Sequence, residues 1–322
     1  MTKKVTRPAL DSKDSLLFSQ IRIAVVGDSM LDRFIVGSVH RISPEAPVPI
    51  ILFEKETLHA GGAANVAHNV VSLGGKSTLI SIVGQDDAGK ILLKTLHESN
   101  VDTSYIERNE TILTIEKIRL IAHGQHMLRV DKEKNKLLTS KIEQKIIKAF
   151  IPKISTFRAV IFSDYAKGFL TKNIVKAVKH ACKKNNIPTI VAPKPENINL
   201  FKGVTLIIVN YKESVGITRE KDFKVSAKIM NKKYDSSVVI TLGERGMYLY
   251  HKNKGYHIPT QAREVFDVSG AGDTVIATVS LCIAKGYDMF SSAKIANIAA
   301  GIVVGKSGTA TVTHEELLRF IK

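Results

Sequence analysis

The chain has 322 residues, 44% of them hydrophobic, and 47 Lys and Arg against 30 Asp and Glu give it a net charge of +17. This length suits one large α/β domain or two smaller ones with a substantial core. The charge alone would suit a nucleic-acid binder, but the Lys residues are scattered over amphipathic helices without a nucleic-acid-binding motif, so we expect anionic small-molecule substrates and no nucleic-acid partner.

The N-terminal segment and the cysteines indicate a cytoplasmic protein. Residues 1–20 are polar and charged, without the apolar core of a signal peptide, and we expect a polar leader there before a single domain at 21–322. The most apolar runs are well short of the roughly 20 residues that span a bilayer, so we expect no membrane partner. Cys182 and Cys282 lie far apart without metal-ligand spacing, which predicts buried free thiols.

In chain order, the predicted elements begin with a β-branched run at 21–26, which predicts a buried strand feeding a functional loop. The Pro-dense stretch 43–49 excludes a helix within 34–53 and indicates edge strands or extended segments. Alternating residues at 111–131 predict strands with one exposed face. Further strands are predicted at 79–83, 159–162, 189–192, 206–209 and 237–242, and helices at 63–73, 87–99, 140–150, 173–185, 223–234, 273–285 and 291–304.

Alternating strands and helices predict an α/β fold with a mostly parallel sheet that is covered on both faces. The two non-helical stretches, about 33–57 and 105–130, are expected to form a small β-sheet that projects from this core. Because both leave the same core, we expect a lid over the carboxyl ends of the strands, where ligands bind in such sheets. The exposed edges of the lid predict a homodimer formed through it.

One segment near the C-terminal end suits phosphoryl transfer. In Asp267-Val-Ser-Gly-Ala-Gly-Asp273, the residues Gly270, Ala271 and Gly272 let the backbone approach a ligand, and the amides that begin the next helix can bind an anion. Asp273 can take the proton of an attacking hydroxyl group. Taken alone, a Gly-rich turn with an Asp helix cap explains the segment equally well.

Two groups near the N-terminal end suit a sugar. Gly61 and Gly62 allow a sugar ring to lie against the backbone while Asn65 bonds its hydroxyl groups; a plain helix-entry turn is the alternative. Asp28 and Asp32 follow the first strand and are spaced to present carboxylates to neighbouring hydroxyl groups; solvated loop acids are the alternative.

Asn210 and Glu213 directly follow a predicted strand. An amide and a carboxylate at this position can hold water bound to Mg²⁺. A helix cap explains the same two residues equally well.

These features, in this order and at these separations, resemble the ribokinase-like (phosphofructokinase B) family of carbohydrate kinases from about 21 to 313. The resemblance implies a three-layer α/β/α fold with a β-sheet lid, the cofactors ATP and Mg²⁺, and Asp273 as the catalytic base. It also implies that Asn210 and Glu213 help to place the metal and the phosphates. The implied nucleotide-binding residues are Thr241, Gly243, Gly246, Asp267, Asn297, Gly301 and Val304.

The resemblance narrows to the D-glycero-β-D-manno-heptose-7-phosphate kinases of lipopolysaccharide-core precursor synthesis at residues 27–33, 41–49, 61–67, 163–168 and 263–277. It implies phosphorylation of the C1 hydroxyl group to give the 1,7-bisphosphate. Many relatives carry a second, nucleotidyltransferase domain, and this chain resembles the stand-alone form. The alternatives are a kinase for another sugar or sugar phosphate, such as a hexose phosphate, and a catalytically inactive basic binding protein.

Basic residues provide a site for the sugar phosphate. Lys117, Arg119 and Arg129 lie in the second lid segment and Lys167 follows a core strand, so that together they can hold a phosphate. Taken individually, each is better explained as a solvated surface charge, and the family resemblance favours Arg129 and Lys167 as phosphate ligands.

One position departs from the family pattern. Ala192 stands where relatives usually carry Asp before Pro-Lys. If that Asp contacts the substrate or the metal, the expected consequences are a slower enzyme, an altered substrate preference, or compensation by Asp164 at the substrate.

Overall fold

The computed structural model describes residues 16–134, 138–261, 265–306, 308 and 310–321. Residues 1–15 of the predicted leader, and residues 262–264 within the segment of family resemblance, lie outside the described residues. No helix in the described ranges is long and apolar enough to cross a membrane. Cys182 and Cys282 are buried free thiols, as predicted, and burial raises the pKa of the Cys182 thiol to about 12.

The strands of the described residues form two sheets. In chain order they are β1 (Arg22–Gly27), β2 (Ser29–Ile42), β3 (Pro49–Gly62), β4 (Lys76–Gly84), β5 (Asp102–Asn109), β6 (Ile115–Ala122), β7 (Gln125–Lys132), β8 (Ala159–Ser163), β9 (Thr189–Ala192), β10 (Leu206–Asn210), β11 (Ser237–Thr241), β12 (Met247–His251) and β13 (Lys254–Ile258). The central sheet has the order β13-β12-β11-β10-β9-β8-β1-β4-β5. It is parallel from β5 to β11, and β12 and β13 run antiparallel at one edge, so the predicted mostly parallel sheet is confirmed.

Helices cover both faces of the central sheet. They are α1 (Ala63–Ser72), α2 (Asp87–Glu98), α3 (Ser140–Phe150), α4 (Lys172–Lys184), α5 (Tyr211–Thr218), α6 (Phe223–Tyr234), α7 (Ala271–Lys285), α8 (Met289–Val303) and α9 (His314–Phe320). Successive residues of a strand point to opposite faces. Thus Ile23 and Val25 of β1 pack in the apolar layer with α1, α2, α7, α8 and α9, whereas Ala24 and Val26 pack in the layer with α3, α4, α5 and α6. This is the predicted three-layer α/β/α fold.

The second sheet, which we call the lid sheet, has the order β3-β2-β6-β7. β2 pairs antiparallel with β3 and parallel with β6, and β6 pairs antiparallel with β7. The predicted lid boundaries require correction, because residues 105–109 belong to β5 and pair with β4 in the central sheet. As an edge strand, β5 is only half-buried, and its sequence therefore alternates in the same way as a lid strand.

Candidate active site

The carboxyl ends of β1 and β8 meet the N-terminal ends of α1 and α7, and glycines make this approach possible. A Cβ atom on Gly27 would lie 2.1 Å from the carbonyl oxygen of Ser163, so β1 passes β8 too closely for a side chain. Gly62 has a φ of +60° where the chain turns from β3 into α1. A Cβ atom on Gly61 would lie 2.3 Å from Asp32 Oδ2. The glycine pair thus leaves room for a carboxylate.

The start of α7 is open. Gly270 adopts the left-handed conformation, with a φ of +80°, and no side chain from the described part of the chain caps the helix. The first amides of a helix have no partner within it and carry a partial positive charge. A Cβ atom on Gly272 would meet no atom of the described residues within 4 Å, so these residues leave open space at this turn. The predicted anion-binding turn therefore does precede a helix, and Asp273 lies in its first turn.

Two donors from other elements hold the Asp273 carboxylate. Asn65 of α1 donates from Nδ2 to Asp273 Oδ2 over 2.7 Å, and the Tyr165 hydroxyl group donates to Oδ1 over 2.7 Å. Asn69, one turn after Asn65, donates to the Asn65 carbonyl oxygen and accepts from the Thr274 hydroxyl group over 2.8 Å. A polar network thus joins α1, α7 and the loop after β8, and it fixes the orientation of the carboxylate.

The pKa of Asp273 is raised from 3.8 to about 6. Burial is the largest cause, and the hydrogen bonds from Tyr165 and Asn65 oppose it. The charge of Asp32 raises the pKa further, whereas that of Lys194 lowers it. A carboxylate with this pKa is ionised at neutral pH yet is more basic than a solvated one, as general-base catalysis requires.

Asp28 organises the loop after β8. Its Oδ2 accepts from the amides of Tyr165 and Lys167 over 3.0 and 3.1 Å, and its Oδ1 accepts from the amide of Phe169 over 3.0 Å. The residue is only 2% exposed. We therefore revise the prediction that Asp28 binds a sugar hydroxyl group, because its carboxylate is buried and already bonded to three amides.

Asp164 has a similar role. Its Oδ1 accepts from the amide of Ala166 and from Asn197, and its Oδ2 accepts from the amide of Lys194. These bonds join the loop after β8 to the loop that follows Ala192, the last residue of β9. We therefore also revise the expectation that Asp164 supplies a substrate-binding carboxylate, since the buried group is engaged with these two loops.

The face of the lid sheet that carries Asp32 is charged. Arg119 of β6 donates to Asp32 Oδ1 over 2.6 Å, and its guanidinium lies 4.9 Å from the centre of the Phe34 ring. Lys117 is directly opposite Asp32 in the strand register, yet it makes no ion pair with any described residue. Burial lowers its pKa, against the raising effect of Asp32 and Asp131. Lys117 is thus an ammonium group suited to bind an anion.

The other predicted phosphate ligands are paired. Arg129 bonds Asp131 on its own strand over 2.8 Å, and its side chain is 57% exposed. Lys167 bonds Glu133 over 2.7 Å and is largely shielded from solvent. In the strand register Arg129 lies opposite Arg119, so it is on the same face of the lid sheet as Lys117 and Asp32. Arg119 bonds Asp32, Arg129 bonds Asp131 and Lys167 bonds Glu133, so of these four basic residues only Lys117 has no ion pair with a described residue.

Asn210 and Glu213 form the N-terminal cap of α5. Asn210 Oδ1 accepts from the Glu213 amide, and Glu213 Oε2 accepts from the Asn210 amide, so the helix-cap alternative is confirmed. Glu213 Oε1 also accepts from Lys194 over 2.7 Å. Both Glu213 oxygens thus already accept a hydrogen bond. Their remaining lone pairs are better suited to bind a water molecule of hydrated Mg²⁺ than to bind the metal directly. No cluster of three or more metal-ligating side chains occurs among the described residues.

The predicted nucleotide-binding residues surround the loops after β11 and before α7. Thr241 ends β11, and Gly243 and Gly246 form the turn to β12 with φ of +62° and +81°. Asn297 of α8 donates to the Pro259 carbonyl oxygen over 2.7 Å. Gly301 lies in the last turn of α8, and Val304 follows that helix.

Asp267 shapes the loop that leads to the open turn. Its Oδ1 accepts from the amide of Ser269 and its Oδ2 from that of Gly308, and its own amide donates to the Val304 carbonyl oxygen. Burial would raise the pKa of Asp267, but the hydrogen bonds from Ser269 and Gly308 outweigh it, and the pKa is lowered. The carboxylate is thus ionised and holds this loop against the end of α8.

Two residues of the site were not predicted from the sequence. Tyr165 contacts Asp273, and Lys194 lies with Nζ 5.6 Å from the centre of the Tyr165 ring. Both follow the carboxyl ends of neighbouring parallel strands, β8 and β9. Ligands bind at such strand ends, so this position could have marked both residues as candidates. Because both residues are far from Asp273 along the chain, the sequence alone does not predict that they lie near it.

An α/β/α core, a β-sheet lid and a carboxylate at an open helix N-terminus define an ATP-dependent carbohydrate kinase. The profile of the pfkB family of carbohydrate kinases matches residues 20–316, and the chain belongs to this family. A putative ribokinase from Agrobacterium tumefaciens has a TM-score of 0.76 at 20% identity, covering 94% of this chain and 97% of that chain. The Arabidopsis thaliana ribokinase complexed with ribose and ATP has a TM-score of 0.74 at 18% identity, covering 94% and 98%.

Curated relatives are more similar in sequence. The bifunctional protein HldE of Trichlorobacter lovleyi is 40% identical over 307 residues, which are 93% of this chain and 62% of that protein. The bifunctional protein HldE of Nitratiruptor sp. is 41% identical over 302 residues, which are 92% of this chain and 64% of that protein. The chain thus spans slightly less than two thirds of the length of these relatives.

Proposed function

We propose that this kinase transfers the γ-phosphoryl group of ATP to the C1 hydroxyl group of D-glycero-β-D-manno-heptose 7-phosphate. The products are the 1,7-bisphosphate and ADP, for lipopolysaccharide-core precursor synthesis. The observation that carries the proposal is the Asp273 carboxylate, held by Asn65 and Tyr165 beside the open start of α7. The identity of about 40% to HldE proteins, together with the five segments that resemble heptose-7-phosphate kinases, supports heptose as the acceptor.

In this proposal, Asp273 is the general base. Its carboxylate receives the proton of the C1 hydroxyl group as the oxygen attacks the γ-phosphorus and the bond to the departing ADP oxygen breaks. The amides at the start of α7 stabilise the negative charge on the transferring group, because they point outward and carry a partial positive charge. The open space at Gly272 lets that group approach the backbone.

The lid sheet supplies the acceptor side. Lys117 binds the sugar phosphate because it is a partly buried ammonium group without an ion-pair partner among the described residues. Asp32 remains available to a sugar hydroxyl group through Oδ2, since Arg119 occupies its Oδ1. Gly61 and Gly62 lie buried beside Asn65, and Gly61 leaves the room that the Asp32 carboxylate needs.

On the nucleotide side, Mg²⁺ would neutralise charge on the ATP phosphates, and Asn210 and Glu213 would hold it through water. Lys194, which joins Glu213 to the Tyr165 ring, places a positive charge between the metal side and Asp273. The segments around Thr241, Gly243, Gly246, Asp267, Asn297, Gly301 and Val304 would bind the nucleotide.

The acceptor is tested by ADP release across a panel of sugars. The panel contains heptose 7-phosphate, its unphosphorylated heptose, fructose 6-phosphate and ribose, each with ATP and Mg²⁺. We expect the largest kcat/KM for heptose 7-phosphate and a loss of at least 10-fold without the 7-phosphate, because Lys117 then lacks its partner. A larger kcat/KM for a hexose phosphate would favour the second candidate, a hexose phosphate kinase.

We also propose a homodimer, formed through the lid sheet, in the cytoplasm. Within the described residues, β3 and β7 are the outer strands of this sheet and have one unpaired edge each. Large apolar side chains are exposed on the lid strands, including Leu52, Phe53, Leu128 and Val130. Light scattering should give twice the chain mass for the unchanged protein and the single mass for Phe53→Asp. Val225→Asp on α6, where Val225 is also exposed, is the matched control and should remain dimeric.

A further inference from the structure

Two buried carboxylates fix the backbone position of Tyr165. Asp28 accepts a hydrogen bond from the Tyr165 amide, and Asp164 accepts one from the next amide, that of Ala166. Ala166 has a φ of +54°, a left-handed conformation that is costly for alanine. Two buried carboxylates therefore maintain a strained loop whose effect is to direct one phenol side chain toward α7.

The Tyr165 hydroxyl group is hydrogen-bonded to Asp273. It donates to Oδ1 over 2.7 Å, while Asn65 donates to Oδ2 over the same distance. The last torsion of an Asp side chain is broad, so a carboxylate held at one oxygen only can rotate. Two donors from separate elements, one on each oxygen, remove that freedom.

Tyr165 does not act as a base itself. Burial, and next the charge of Asp273, raise its pKa well above the ordinary value of 10.0, so the phenol stays protonated and donates. Its ring also lies 5.6 Å from Lys194 Nζ, within the range of a cation–π contact, and Lys194 continues to Glu213. A single side chain thus joins Asp273 to the group that we place on the metal side.

We propose that Tyr165 is a positioning residue for phosphoryl transfer, which holds the Asp273 carboxylate in the orientation that receives the acceptor proton and keeps Lys194 beside it. This inference rests on the proposed function, in which Asp273 is the base. During the reaction the acceptor proton moves to Asp273, the acceptor oxygen bonds the γ-phosphorus, and ADP leaves with the electron pair of the broken bond. The Tyr165 proton stays on the phenol throughout.

The position of Tyr165 has a consequence for the pH dependence of the reaction. The charged and titratable groups that act on Asp273 are Asp32 of β2, Tyr165 after β8 and Lys194 after β9, and α1 contributes the neutral Asn65. A donor hydrogen bond stabilises the ionised carboxylate, so its removal raises the pKa of Asp273. A residue that only packs in the loop would not change this pKa.

The test compares Tyr165→Phe with the unchanged protein by measuring kcat/KM for the sugar phosphate from pH 5 to 9. Tyr105→Phe, whose ring packs edge-on against Phe150 away from the site, is the matched control. We expect kcat/KM of Tyr165→Phe to fall roughly 10- to 100-fold at pH 8.5, as for the loss of one hydrogen bond to a charged group. The fall should be larger at pH 6, because the acid limb moves to higher pH, whereas KM for ATP and the Tyr105→Phe profile should not change.

The inference is overturned if the acid side of the pH profile of kcat/KM lies at the same pH in Tyr165→Phe as in the unchanged protein, even if activity falls uniformly. Asp273→Asn in the same series separates the two proposals. If Asp273→Asn is inactive and the limb of Tyr165→Phe is unmoved, only the role of Tyr165 is wrong. If Asp273→Asn is active, the general base is wrong and both fail. Carboxyl ¹³C NMR titration of Asp273 gives the same pKa without turnover, so a weakly active Tyr165→Phe still gives a result.

Discussion

Asp273→Asn should make the protein more stable at neutral pH while it removes the proposed base. The folded-state pKa of Asp273 is raised from 3.8 to about 6, so the folded protein holds this proton more tightly than the unfolded chain does. The stabilisation that comes from the protonated group is therefore complete below about pH 4 and is lost as the pH rises through about 6. Above that pH, the buried charge is a cost that an amide does not carry.

The magnitude follows from the structure. A pKa change from 3.8 to about 6 corresponds to an upper limit of roughly 3 kcal/mol at pH 8. The amide introduced by Asp273→Asn can turn its oxygen to Asn65 Nδ2 and its NH2 group to the Tyr165 hydroxyl group, which then accepts, so the hydrogen bond that Tyr165 donates is lost. That loss costs about 1 kcal/mol. A net gain of about 2 kcal/mol remains, or about 3 °C in Tm for a chain of this length.

The assay is thermal unfolding of both proteins, without ligands, from pH 4.5 to 8. We expect the two Tm values to be similar at pH 4.5, and the advantage of the variant to develop as the pH rises toward about 6 and to persist at pH 8. Glu54→Gln, at an exposed position of β3, is a suitable control for the removal of one surface charge. A difference for Asp273→Asn that is constant with pH, or that favours the unchanged protein at pH 8, would refute the assignment of a raised pKa.

Three further outcomes follow from the site. Lys117→Ala should raise KM for the sugar phosphate at least 10-fold without changing KM for ATP, while Arg129→Ala, which loses only an exposed ion pair, should change neither by more than about 2-fold. Asp28→Asn should lower Tm by about 3 °C, because one charge-assisted bond to the loop amides is lost in a buried site, and a differential scan measures it. Lys194→Ala should lower kcat about 100-fold, since the positive charge between Glu213 and Asp273 is lost; unchanged kcat would contradict this.

Much of the fold was predictable because each local signal agreed with the global one. The β-branched runs of β1, β8 and β10 are fully or almost fully buried, and the caps of α2, α3, α4 and α6 occur at Asp86, Thr139, Thr171 and Asp222. β12 and β13 were not predicted, because short antiparallel strands such as Met247–His251 give too few residues for a clear pattern. β5 was assigned to the lid, since an edge strand alternates like a half-exposed one.

The candidate site was predictable only in part, and the reason is the same at each position. Asp273 and Asn65 are 208 residues apart and were paired through resemblance, whereas their contact depends on α1 packing against α7. Asp28 and Asp164 were predicted as ligands because a carboxylate after a strand suits either a ligand or a loop amide. Spacing does not distinguish the two uses, and only the three-dimensional position of the loop after β8 does.

We propose that Asp273 removes the acceptor proton in this sugar kinase. The most direct measurement is ADP release by Asp273→Asn under saturating ATP, Mg²⁺ and the best acceptor of the panel, with acceptor binding measured in parallel by calorimetry. We expect kcat to fall roughly 10²- to 10⁴-fold with the dissociation constant of the acceptor changed less than about 3-fold, because the base acts on the transition state. Turnover near that of the unchanged protein would contradict the account.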